Sequence, residues 1–181
     1  LDDGTVLIGY LYPRSISYIY DGDNPGSSTN DYGEREKSPT NEGFLGGQII
    51  YTDAGKQITA ENGKKYMGGY SHQWWNWESD PGTDKDKLDY IKGQHAASQG
   101  KKFLNNPLEL GYPQFDYRFL LSTGPFDIPE NDTIRVVFAI VCGAGLMDLR
   151  ANAENAVIAY YSGSDCSPTD PCDFDQGSHW A

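Results

Sequence analysis

Residues 134–143, "IRVVFAIVCG", constrain the fold more than any other stretch, because they are apolar at both parities. Successive side chains of an extended chain point to opposite faces, so Ile134, Val136, Phe138, Ile140 and Cys142 share one face and Val137, Ala139 and Val141 the other. A strand apolar on both sides is expected to be covered on both, which predicts a central strand. The next segment, "LMDLRANAENAVIAYYSG", changes period. Leu146, Leu149, Ala153, Ala156, Val157 and Tyr160 recur at helical spacing, Asp148 lies near the positive N-terminal end and Gly163 offers a stop. The expectation is a helix whose apolar stripe packs on the sheet.

Elsewhere the chain alternates short strand patterns with turn residues. "TVLIGYLYPRSISYIY" at 5–20 reads as two strands interrupted at Pro13, with Ile16, Tyr18 and Tyr20 on the side opposite Ser17 and Ile19. "GFLGGQIIYTD" at 43–53 is a further strand whose glycines mark a bulge or a close backbone approach. "FDYRFLLSTGPFDIPENDTIRVVFAIVCG" reads as two strands joined through Pro129, Glu130, Asn131 and Asp132. Between them "SDPGTDKDKLDYIKG" predicts a short helix. Thr83 caps it, Asp86 completes a capping box three residues on, Gly93 ends it, and Leu88 and Ile91 face inward. The run from Asp21 to Thr40 is rich in Asp, Asn, Gly, Ser and Pro and reads as a long loop. With 181 residues and no repeat, one domain is expected: a mainly β fold, a β-sandwich over 1–163 with one C-terminal amphipathic helix and a short helical insertion, followed by a Cys/Asp-rich tail or linker at 164–181. Jelly-roll connectivity is one option.

The formal net charge of −12 disfavours nucleic acid and anionic membrane surfaces as partners and favours cations. No run approaches the roughly 20 apolar residues that a membrane-spanning helix needs, so no membrane insertion is expected. Thirteen tyrosines and 21 glycines beside two methionines fit a turn-rich extracellular β protein. The chain opens on Leu1 without a signal peptide and closes on "FDQGSHWA", and so reads as a segment of a longer or processed protein. Of the three cysteines, Cys166 and Cys172 share a loop and are expected to form a disulfide, whereas Cys142 sits in the apolar strand and is expected to be a buried thiol. An exported location fits the disulfide.

Two clusters invite a ligand. In "YSHQWWNWESDPG" three tryptophans fall within four positions. By strand parity His72, Trp74 and Asn76 form one face, suited to stacking on a sugar ring, while Trp75 and Trp77 belong to the core. The competing reading makes most of the cluster core, with Trp74 as the residue to test. In "DGDNPGSSTND" the carboxylates of Asp21, Asp23 and Asp31 are hard oxygen donors suited to calcium, although the spacing is not that of an EF-hand. Catalysis has little support, since no nucleophile elbow, zinc-hydrolase spacing or phosphate loop is present. Glycoside hydrolysis needs a carboxylate pair, for which 26 acids by their number alone are no evidence; Glu78 and Asp80 beside the tryptophans are the pair to test.

Together "HQWWNWESDPGTD", the 115–143 segment and the alanine-rich helix, with "YIYDGDNPG" and "GFLGGQII", resemble an uncharacterised module that recurs in large secreted bacterial proteins. That module often lies upstream of a C-terminal secretion and sorting domain, and the likeness spans about Tyr18 to Gly163. The resemblance implies export and a modular extracellular or cell-surface setting, and brings no catalytic residues. The expected function is a non-catalytic structural or assembly module whose partners are neighbouring domains or copies of itself, in a filament where the first strand adds to a neighbour's sheet edge. The alternative is a calcium-assisted carbohydrate-binding module with glycans as partners.

Overall fold

The computed structural model describes residues 6–11, 15–21, 43–60, 63–112 and 117–162. Val6–Leu11 (β1) and Ile16–Asp21 (β2) are the two strands expected on either side of Pro13, and they pair antiparallel with Tyr10 opposite Ser17. Phe44–Thr52 (β3) follows, then a small antiparallel pair, Gln57–Thr59 (β4) with Lys65–Met67 (β5). Ser71–Asn76 (β6) carries the tryptophan cluster, and Asp84–Lys92 (α1) is the short helical insertion. Tyr117–Ser122 (β7), Val136–Gly143 (β8) and Leu146–Ser162 (α2) complete the described chain. The fold is mainly antiparallel strands with two helices, in sheets that do not close.

The principal sheet runs β1-β2-β3-β8, each strand antiparallel to its neighbour. Side-chain parity then assigns its two faces. Ile16, Phe44 and Val141 point to one side, where they meet Leu149 and Ala153 of α2, with Tyr18 and Tyr20 packed against the cluster. Leu149, Ala153 and Val157 are buried, as the helical stripe predicts, whereas Tyr160 is exposed. Asp148 accepts a hydrogen bond from the Ala144 N–H at 2.8 Å, so the acidic residue of the first turn satisfies a main-chain donor at the strand-to-helix junction. Asn152 Nδ2 donates to the Cys142 carbonyl at 2.8 Å and ties the helix back to the end of β8.

The opposite face meets the ribbon β6-β7. Ile19 and Phe119 pack on a cluster of Trp74, Leu104 and Tyr117. The outer side of β6 is covered by α1, whose Tyr90 ring lies 4.8 Å from that of Trp75. The capping box is present as read from the sequence: the Asp86 N–H donates to Thr83 Oγ1 at 3.1 Å, the Thr83 N–H donates to Asp86 Oδ2 at 3.1 Å, and Gly93 ends the helix at φ 68°. Thr83→Ala should therefore lower unfolding stability by about 1 kcal/mol, measured in urea. The buried residue of α1 is Tyr90. Leu88, expected inward, is exposed, because the helix meets β6 through an aromatic contact one turn-position away from the aliphatic stripe.

One expectation fails in an instructive way. β8 is an edge strand, paired only with β3 among the described residues. Its inner face is covered by α2, but Phe138 and Ile140 on the other face are 67% and 72% exposed. Cys142 shares that outer face and is exposed rather than buried. The ribbon covers β1 and β2 and stops at β3, so the second layer is too narrow to reach β8.

Candidate functional site

Strand parity places His72, Trp74 and Asn76 on one face of β6, as the sequence indicates, but that face turns inward. Trp74 is 5% exposed; its indole N–H donates to the Asn105 carbonyl at 2.7 Å, and its ring meets Tyr112 and Tyr117 edge-on at 5.3 and 5.1 Å. A ring so buried offers no open face for a sugar, so the exposed stacking platform expected at Trp74 is corrected to a core position. Trp75 is half-buried on the other face, where its N–H donates to Asp80 Oδ1 at 2.7 Å, and Arg118 pairs with the same carboxylate. The Trp77 side chain lies outside the described residues.

His72 is the most unusual group. It is 1% exposed, and its Nδ1 lies 2.8 Å from the Ser17 hydroxyl across the two layers. The Tyr10 ring stacks on the imidazole at 5.2 Å, 21° from parallel. Nε2 is buried with no protein partner. Burial pushes the imidazole pKa down to about 3, so the ring is neutral at neutral pH. A serine beside a neutral histidine has the chemistry of an activated nucleophile, but Ser17 has no exposed surface and His72 almost none. The hydroxyl–imidazole bond joins the principal sheet to the ribbon.

The other expected groups separate. Asp80 is taken up by Trp75 and Arg118, and the Trp75 hydrogen bond, followed by the Arg118 contact, holds its carboxyl below the usual range. That is the wrong direction for a general acid. Asp23 and Asp31, the Asp21 side chain, Cys166 and Cys172 lie outside the described residues. Among the described residues no three His, Cys, Asp or Glu side chains are grouped as a metal site, and no helix is long and apolar enough to cross a membrane.

What the structure adds is a surface that periodicity assigned to the interior. Leu45 and Ile49 of β3, Phe119 and Leu121 of β7, and Phe138 and Ile140 of β8 line an open groove of about 350 Å³. Its floor is the outward face of β3 and β8, and its wall is the ribbon strand β7. Beside it runs the outer edge of β8, eight residues without a charge or a proline. Soluble proteins usually protect such an edge with charge, proline or a covering segment. The sequence signal is the run "VVFAIVCG", whose two apolar faces predict cover on both sides. Comparison with protein-family models, with curated proteins and with solved structures gives no match for this chain.

Proposed function

We propose that the chain is a non-catalytic structural module of an extracellular or cell-surface protein, and that it assembles with copies of itself through β8. The observation that carries this reading is the exposed apolar face of that strand and an edge that, among the described residues, has no partner strand. The occupant is the β1 edge of a second copy. Because four strictly alternating strands make up the sheet, β1 runs opposite to β8, so a copy added alongside without inversion forms an antiparallel ladder. Such a head-to-tail contact repeats and builds a filament. The domain is then an incomplete β-sandwich, its narrow second layer continued by the ribbon of the neighbour.

Electrostatics sets the conditions. Copies that each carry a net charge of −12 repel one another, and salt screens that repulsion over a Debye length of about 10 Å near 0.1 M. Light scattering and electron microscopy should therefore find longer assemblies at high salt than at low salt. Phe138→Glu should abolish them while leaving the melting temperature nearly unchanged, because the side chain is already exposed. A wild-type chain that stays monomeric at every salt concentration would sink the proposal. Dimers that never extend would replace head-to-tail addition with a twofold β8–β8 contact, and heteromeric complexes alone would assign the groove to a different protein.

A further inference from the structure

We infer that the cleft between β1, β2 and the 103–109 segment binds a neutral saccharide. The cleft is separate from the β8 groove, holds about 290 Å³ and is lined by Tyr10, Tyr18, Phe103, Asn105, Asn106 and Glu109. That volume is near the lower end for ligand clefts, about 300 Å³, and suits a short oligosaccharide engaged through one or two rings.

One side of the cleft is aromatic and rigid. Tyr10 is stacked on the buried His72, and Phe103 closes the stack with its ring 5.0 Å from that of Tyr10, tilted by 38°. Phe103 is partly exposed and so offers surface above the Tyr10 ring and the buried imidazole. Its position is set by main-chain pairing: the His72 N–H donates to the Lys102 carbonyl at 2.8 Å, and the Leu104 N–H donates to the His72 carbonyl at 3.0 Å.

The other side is polar and equally fixed. The Trp74 indole holds the Asn105 carbonyl, Asn105 Nδ2 donates to Glu109 Oε2 at 3.1 Å, and Asn106 Oδ1 accepts the Leu108 N–H at 2.9 Å. These bonds orient the carboxylate as an acceptor and leave the Asn106 amide nitrogen as a donor. A ligand for this cleft needs an apolar face for the rings and a rim that both donates and accepts. A purely apolar molecule would strip water from a carboxylate and two amides without replacing their hydrogen bonds. An anion would meet Glu109 and a chain of net charge −12. A pyranose has a C–H face and a ring of hydroxyls that do both, with no charge to repel.

The cleft lies beside β1, whose edge the proposed assembly uses, so the inference is best tested on the Phe138→Glu chain, where failure of the two readings is distinguishable. A printed panel of neutral and acidic oligosaccharides identifies ligands, and titration calorimetry with the bound oligosaccharide gives affinities. Expected are neutral ligands only, with binding weakened about ten-fold or more in both Phe103→Ala and Glu109→Gln. Glu109 is exposed and its replacement is isosteric, so Glu109→Gln reports on the site even if Phe103→Ala is unstable. Absence of binding across the neutral panel, or binding undiminished in Glu109→Gln, overturns the assignment. So does preferential binding of tetramethylammonium, which would make the cleft a cation site.

Discussion

Lowering the pH from 7 to 5 should cost this domain about 2 kcal/mol of unfolding stability through a single side chain, His72. In the folded chain burial holds its pKa at about 3, against 6.5 for the exposed side chain. The unfolded chain therefore takes up the proton first. Stability is complete above pH 6.5, falls as the pH drops below that value, and stops falling through this group near pH 3, where the folded form also protonates. Each pH unit in that window is worth about 1.4 kcal/mol. The structural cause is visible: the ring lies between the sheet and the ribbon with Ser17 on Nδ1, Tyr10 against its face and no acidic partner at Nε2. Asp53, Asp80 and Asp86 titrate below the ordinary carboxylate range, so the stability they contribute is lost only at lower pH than the upper half of the His72 window. Urea unfolding at pH 7 and pH 5 measures the effect. His72→Gln should be less stable at pH 7 but should lose most of the difference between the two pH values. Equal pH dependence in the variant and the wild type would show that another group is responsible.

The same residue illustrates what could be read from the sequence and what could not. Alternation along "SHQWWN" correctly places His72, Trp74 and Asn76 together, because side-chain parity is a property of the extended backbone. Which of the two faces is buried is a property of the partner. Here the ribbon presents its His72 and Trp74 side to the sheet, and α1 half-covers Trp75 from outside, so the face that resembled a ligand platform became the core. The capping box of α1 and the Leu149, Ala153 and Val157 stripe of α2 were legible because caps and stripes depend on residues a few positions apart. The place of β8 at the edge was not. Apolar residues at both parities state how much cover a strand can use, and whether that cover comes from the same chain depends on how many strands the second layer contains. The aromatic cleft at Phe103 was hidden for a related reason, since it joins residues of β1 and β2 to a segment some 90 positions away that carries no periodic signal.

The largest loss from a single aliphatic substitution should come at Leu149, where α2 is seated on the principal sheet. Its side chain has no exposed surface and fills the centre of the cluster with Ile16, Phe44 and Val141. Opposite it, Gly46 lacks a side chain; a Cβ built there would lie 3.4 Å from Leu149 Cδ1, so the strand leaves just the room the leucine occupies. Leu149→Ala should cost about 2–5 kcal/mol, the lost transfer free energy plus the cavity left in a site walled by β-strands that cannot collapse inward. Gly143, at the end of β8 and opposite Phe44 in register, approaches the same helix from the same face of the sheet. A Cβ on that glycine would sit 2.3 Å from the Leu149 nitrogen and 2.7 Å from its Cα, contacts with main chain that only movement of the helix can relieve. Gly143→Ala should therefore cost about 1–3 kcal/mol or more as an overpacking substitution. The two effects should not add. With Leu149 in place its buried side chain pins its own main chain against residue 143 and the new methyl group is resisted in full, whereas truncation to Ala unpins that main chain and lets it yield to the methyl group. Denaturant unfolding of both single variants and the double variant tests the argument, with the double expected to lose less than the sum of the singles. Strict additivity, or a Gly143→Ala chain as stable as the wild type, would mean that the helix is not seated on the sheet through this contact.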